Sequence, residues 1–254
     1  MIGLSAPWPT KGEIDVIENV NLATNNQYSL HTIDGCAHPA EALAEGQVNE
    51  TGNVLTTSCF VNATGQATNE GCLVADNDLS YGAKFAQSGD GAFATLWDEE
   101  GIRIWFFTRS AVPPEMATAS PSPSGWGAPT AFWPQSSCNT AQFFGPQTLI
   151  LETNVCGNFA VDVFSQTCSQ VAELCTDLVV TPTNYVDAFW EIKYIAVFSN
   201  SSGTSSASSA SSGFTTTSGA GAGPTGGSNS ASTLGPWTLL SPALMGAIVG
   251  YIML

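Results

Sequence analysis

Gly12-Glu13-Ile14-Asp15-Val16-Ile17-Glu18 places three carboxylates within six residues of what otherwise reads as a buried β-strand. Acids are costly among Ile and Val unless they line a cleft. Strict alternation puts residues 13, 15 and 17 on one face and points Glu18 the other way. One extra residue, a β-bulge, returns Glu18 to the face of Glu13 and Asp15. Two glutamates on one cleft wall, about 5–5.5 Å apart, are the arrangement that retaining glycoside hydrolysis requires. The alternative is an acidic edge strand. The inward Ile14, Val16 and Ile17 argue against it.

Outward from this stretch the pattern is all-β to about residue 198. Runs rich in Val, Ile, Phe, Trp and Thr are separated by Gly, Pro, Asn and Asp. Strands are predicted at Phe93–Trp97, Ile102–Phe107, Thr148–Leu151 and Trp190–Phe198, with a hairpin turn at Asp98-Glu99-Glu100-Gly101. Residues 111–137, rich in Pro and Ser, read as an extended loop, and a short helix is predicted at Ser169–Leu174.

These runs resemble glycoside hydrolase family 16 in its bulged, laminarinase-like form, and among its members the fungal endo-1,3(4)-β-glucanases. The likeness rests on Glu13-x-Asp15-x-x-Glu18 and on Trp8-Pro9 just upstream. It continues through Asn26-Gln27-Tyr28-Ser29-Leu30-His31-Thr32 with Gly35-Cys36, Ile102-Arg103-Ile104-Trp105-Phe106-Phe107 and Trp126-Gly127-Ala128-Pro129. Cys156-Gly157-Asn158-Phe159 and Phe189-Trp190-Glu191-Ile192 complete it. The resemblance implies a concanavalin A-like β-jelly-roll sandwich over residues 1–198. It implies Glu13 as nucleophile, Glu18 as acid/base and Asp15 between them as a tuning carboxylate. It also places Trp8, Gln27, His31 and Trp105 as substrate-binding candidates. Trp105 sits in a run apolar on both faces and reads equally as core. Trp126 and Trp133 either floor the cleft or pin a loop. No metal or other cofactor is implied. Ala86 and Leu73 depart from the family pattern and bear on substrate preference rather than reaction class.

In the family, several strands and a secretion signal precede the motif. Residues 1–5 have neither a basic segment nor an apolar run, so the expectation is a domain whose N-terminal strands are missing from this chain, with a short isoform as the alternative.

The chain carries 5 basic and 21 acidic residues, a net charge of −16. That argues against nucleic acid and anionic membrane surfaces as partners and suits a neutral glucan. A monomer is expected. Seven cysteines suggest an oxidising compartment. Cys168 and Cys175 are close enough for a local bridge and Cys138 with Cys156 is a second pairing, but sequence spacing does not fix the connectivity. That scheme leaves at least one of Cys36, Cys59 and Cys72 without a partner. Asn49, Asn62 and Asn200 head N-glycosylation sequons.

Residues 199–236 are almost entirely Ser, Gly, Ala and Thr and are expected to be a disordered tether. Residues 237–254 form an apolar tail with no charged residue after it. Small residues, a polar spacer and a terminal apolar tail describe a GPI-attachment signal, with Gly226, Gly227, Ser228 and Asn229 as candidate attachment residues. The expected location is therefore extracellular, with a lipid anchor at the plasma membrane or cell wall. A tail-anchored helix is the alternative. Two further readings differ in class from hydrolysis: a glucan transglycosylase, which typically lacks the bulge residue, and a non-catalytic glucan-binding protein.

Overall fold

The computed structural model describes residues 1–3, 6–39, 49–118, 120–186, 188–199 and 248–253. One sheet contains β1 (Ile2–Gly3), β2 (Glu13–Glu18), β3 (Gln27–His31), β4 (Asn53–Val54), β5 (Cys72–Ala75) and β9 (Gln147–Thr148), in the order β4-β5-β3-β2-β1-β9. The other contains β6 (Gly91–Asp98), β7 (Gly101–Thr108), β8 (Ala131–Pro134), β10 (Tyr194–Ser199) and β11 (Ile248–Met253), in the order β10-β11-β6-β7-β8. Among the described residues the pairings between these strands are antiparallel, and one isolated bridge, Thr32 with Phe60, is parallel.

The sheets share one core. Ile14, Tyr28, Leu30, Cys72 and Val74 of the first meet Phe93, Ile102, Ile104, Ala131 and Trp133 of the second. Alternation explains what each face of the first sheet does. With Ile14, Tyr28 and Leu30 committed to the core, Glu13, Asp15, Gln27, Ser29 and His31 must point outward. β6 and β7 are covered on both faces. Ala92, Ala94, Leu96 and Trp105 form a second cluster with Met116 and Trp126 from the loop that follows β7. This double burial is why the Ile102–Phe107 run is apolar on both faces.

The β6–β7 hairpin closes as predicted, with Asp98 opposite Gly101. Gly101 has φ +136°, and a Cβ there would lie 2.1 Å from the Trp133 carbonyl oxygen, so glycine is required by both conformation and space.

Several expectations need correction. The predicted strand at Thr148–Leu151 is only the two-residue β9, and the last predicted strand begins at Tyr194 rather than Trp190. The 111–137 loop contains β8, whose Phe132 and Trp133 pair with Arg103 and Ile102. Ser169–Leu174 is a turn. The helices lie on either side, at Asn158–Asp162, Phe164–Thr167 and Cys175–Val179.

The bridges also differ. They are Cys36–Cys138, Cys59–Cys72 and Cys156–Cys175, and the unpaired thiol is the buried Cys168. Proximity in sequence misled the expectation. Cys175 opens a helix facing Cys156, while sheet pairing gathers Cys36, Cys59 and Cys72 near the core. The Cys36–Cys138 bridge closes a loop of 102 residues and Cys59–Cys72 one of 13. Loop-closure entropy assigns the longer bridge about 4.7 kcal/mol and the shorter one about 3 kcal/mol. Replacing Cys36 and Cys138 together by Ala is therefore expected to lower the urea midpoint more than the Cys59/Cys72 double replacement. A larger loss from the short loop would contradict this account.

Asn49 and Asn62 are exposed. Asn200, Gly226, Gly227, Ser228, Asn229 and the Ser/Gly-rich tether beyond Ser199 lie outside the described residues. So does the first part of the apolar tail, whose residues 248–253 are β11. Among the described residues, no helix is long and apolar enough to cross a membrane.

Candidate active site

The bulge lies where alternation requires it. Glu13 pairs with His31 and Asp15 with Ser29, and then the register shifts so that Glu18 pairs with Gln27. Val16 and Ile17 absorb the extra residue and pack partly against the core. Gln27, Ser29 and His31 occupy alternate positions of β3, so the three acids and these three side chains share one face.

A hydrogen-bond network joins them. Ser29 Oγ donates to Asp15 Oδ2 at 2.7 Å and sits 3.0 Å from His31 Nε2. His31 Nε2 lies 3.0 Å from Asp15 Oδ2. Ser29 Oγ is also 3.5 Å from a Glu18 carboxylate oxygen. Trp8 Nε1 donates to Glu13 Oε2 at 2.5 Å, and the Trp8 ring lies 6.2 Å from that of His31. At 42% exposure Trp8 offers a broad aromatic surface beside Glu13. A groove of ≈ 690 Å³ is lined by Glu13, Asp15, Glu18, Tyr81, Leu151 and Trp190, among others.

The electrostatics separate the three acids. Burial, then the Asp15 charge, raise the Glu13 pKa above its ordinary range, while the Trp8 hydrogen bond and His31 oppose the rise. Burial would also raise Asp15, but the hydrogen bond and charge of His31, aided by Ser29, outweigh it and hold Asp15 low. Glu18 is pushed up to about 7 by burial, then by the charges of Asp15 and Glu13. His31 shows the complementary result. Burial disfavours its cation, but Asp15, Glu13 and Glu18 together raise its pKa. An anionic Asp15 bound to a cationic His31 leaves Glu18 as the carboxyl that keeps a proton near neutrality.

Asp15, Glu18 and His31 also bring one potential ligand atom each to within 4.8 Å of one another. Within the trio, His31 Nε2 and Ser29 Oγ both converge on Asp15 Oδ2, so the side chains are joined through their own hydrogen bonds. The trio therefore reads as a proton network.

Trp105 does not join this face. It is 4% exposed, donates from Nε1 to the Gly127 carbonyl at 3.1 Å and meets Trp126 edge-on. It belongs to the second cluster because β7 turns residues 103, 105 and 107 away from the first sheet. Trp126 and Trp133 are buried too, so both pin structure rather than floor the groove. Sequence reasoning passed over Ser29 and Tyr81. Alternation between Gln27 and His31 was the signal for Ser29. Tyr81 precedes α1 (Gly82–Gln87), and no local pattern marked it.

Residues 2–198 match the XgeA-like catalytic GH16 domain. The chain belongs to this family. The GH16 match ends where the Ser/Gly-rich composition begins. An endo-1,3(4)-beta-glucanase of Arthroderma benhamiae is 39% identical over 76% of this chain and 42% of its own length. The endo-1,3(4)-beta-glucanase xgeA of Emericella nidulans is 35% identical over 75% of this chain and 30% of its own. The chain thus spans less than half the length of these curated relatives. Among solved structures, the GH16 laminarinase 16A of Phanerochaete chrysosporium is 32% identical with a TM-score of 0.57, over 68% of this chain and 56% of that one. An elongating GH family 16 beta-1,3-glucosyltransferase is 34% identical with a TM-score of 0.57, over 66% and 52%. These GH16 neighbours and the mostly antiparallel sheets agree with the jelly-roll sandwich expected from the sequence.

Proposed function

We propose that this GH16 domain hydrolyses β-1,3- or mixed β-1,3/1,4-glucan internally, with retention of anomeric configuration. The observation that carries this reading is the β2 bulge, which sets a carboxyl held protonated to about pH 7 beside two acids on one groove wall.

Glu13, ionised, attacks the anomeric carbon as Glu18 gives its proton to the departing glycosidic oxygen, and the bond between them breaks. Glu18, now anionic, takes a proton from water. The water oxygen attacks the same carbon and frees Glu13. Asp15 and His31 hold the charge of the site through this change. Asp15 stays anionic and raises Glu18 for its first role, and the His31 cation keeps three clustered carboxylates from mutual repulsion. Trp8 fixes the Glu13 carboxylate and presents a ring on which a glucose face can stack.

The pH dependence follows from these signs. Activity needs Glu13 deprotonated and Glu18 protonated. The kcat/KM for a soluble β-glucan is expected to rise as pH climbs through the elevated Glu13 value and to fall as pH passes about 7. A profile flat across pH 6–9 would contradict the assignment of Glu18.

Transglycosylation is the second reading, favoured by the likeness to the elongating glucosyltransferase. It differs only in the acceptor, a sugar hydroxyl in place of water. Incubation with laminari-oligosaccharides separates the two: hydrolysis gives shorter products alone, and transfer gives longer ones as well.

We further infer an extracellular, GPI-anchored monomer acting on wall or foreign glucan. Three disulfides among the described residues favour an oxidising compartment, and the small-residue site, spacer and apolar tail favour the anchor. Attachment near Gly226–Asn229 would remove β11 and free the facing edges of β10 and β6. Release of the protein from cells by a phosphatidylinositol-specific phospholipase tests this. Retention in the membrane fraction would count against it.

A further inference from the structure

A bulge takes backbone groups out of the sheet ladder, and buried groups so displaced need other partners. In β2 the Glu18 N–H and the Val16 carbonyl find theirs in one side chain. Asn26, just before β3, accepts the Glu18 N–H on Oδ1 at 2.9 Å and donates from Nδ2 to the Val16 carbonyl at 2.9 Å. Its carboxamide therefore bridges the two ends of the bulge. The orientation is fixed by its partners, since an N–H requires the amide oxygen and a carbonyl requires the amide nitrogen. Asn26 is fully buried, and its own backbone is tied down on both sides. Its N–H donates to Ser80 Oγ at 2.8 Å, and its carbonyl accepts from Asp76 N at 3.0 Å.

We propose that Asn26 is a positioning residue for the reaction proposed above: its carboxamide locks the β2 bulge and so fixes the direction of the Glu18 carboxyl. Without the lock, only the flanking pairs Asp15–Ser29 and Glu18–Gln27 would hold the extra residue. Strict alternation would then carry Glu18 to the core face. The upstream acids do not depend on it, because Glu13 and Asp15 are in regular register with His31 and Ser29. Loss of Asn26 should therefore damage acid/base catalysis and spare nucleophilic attack. A residue that merely supports the fold would damage both alike.

The test compares Asn26→Ala and Asn26→Asp with the parent chain on two substrates. One is linear β-1,3-glucan, whose leaving group needs a proton. The other is a 2,4-dinitrophenyl β-glucan oligosaccharide, whose phenolate leaves without one. Asn26→Ala is expected to lose about 10²–10³-fold in kcat/KM on the polymer, within the range of a general acid/base contribution. On the aryl substrate it should lose less than about tenfold. Added azide should restore turnover by attacking the glycosyl-enzyme, giving a β-glycosyl azide and releasing Glu13. Asn26→Asp keeps the acceptor for Glu18 N–H and loses the donor to Val16, so its losses should be intermediate, and it serves if the Ala variant does not fold.

Amide hydrogen exchange gives a readout that does not require turnover. In the parent, Glu18 N–H should be protected. In Asn26→Ala it should exchange faster, with Ile14 and Leu30 unchanged. Equal losses on both substrates, or an unchanged Glu18 amide, would overturn the proposal. A parent chain that cleaves neither substrate would overturn the proposed hydrolysis instead, while Glu18 exchange would still decide the role of Asn26.

Discussion

Glu13→Gln should remove glucan hydrolysis almost completely while leaving the fold in place. The amide is close in shape to the carboxylate and still presents an oxygen to Trp8 Nε1, so the wall of the groove is preserved. It cannot form the glycosyl ester. Loss of an essential nucleophile costs on the order of 10⁴–10⁶-fold in kcat. A second effect follows from the charge. Glu13 is among the groups that raise the Glu18 pKa, so any residual activity should have its basic limb at lower pH than the parent. Reducing-end release, measured beside a urea unfolding curve, tests both. A loss of tenfold or less with an intact fold would remove Glu13 from the mechanism.

Glu18→Gln should give a different deficit. Polymer cleavage should fall about 10²–10⁴-fold, the range of general acid–base contributions, and the basic limb near pH 7 should disappear. Substrates with a dinitrophenolate leaving group should react at a rate close to that of the parent, and azide should accelerate their turnover. Stability should change in a known sense. A carboxyl with a raised folded pKa binds its proton more tightly in the native state, so its ionisation weakens the fold as pH rises from the ordinary glutamate range through about 7. The Gln variant lacks that group, so its stability relative to the parent should improve across this window. A basic limb that persists near pH 7 in Glu18→Gln would assign the titration to another group.

Legibility in the sequence followed the reach of each physical signal. The acidic face was readable because Ile14, Val16 and Ile17 leave the acids only one side, and the need for a bulge followed from parity alone. The Asp98–Gly101 turn was readable from local turn chemistry. β8 was not, because Pro and Ser dominate the segment around it and its strand character comes from pairing with β7. Cysteine pairing was not readable either. It depends on which loops the sheet brings together, and Cys36 meets Cys138 across 102 residues. The orientation of Trp105 turned on which face of β7 met the first sheet, and an apolar run on both faces conceals that. Asn26 stood in a quoted motif without a role, since an asparagine ahead of a strand reads as an ordinary turn residue until the bulge it bridges is seen.

The central claim is that two glutamates of a bulged strand act by double displacement on β-glucan. Proton NMR of the anomeric region during the first minutes of laminari-oligosaccharide cleavage tests it most directly. Double displacement requires β-configured reducing ends to appear first, with the α-anomer growing in only at the rate of mutarotation. Initial release of the α-anomer would mean a single inverting attack by water and would contradict the roles given to Glu13 and Glu18.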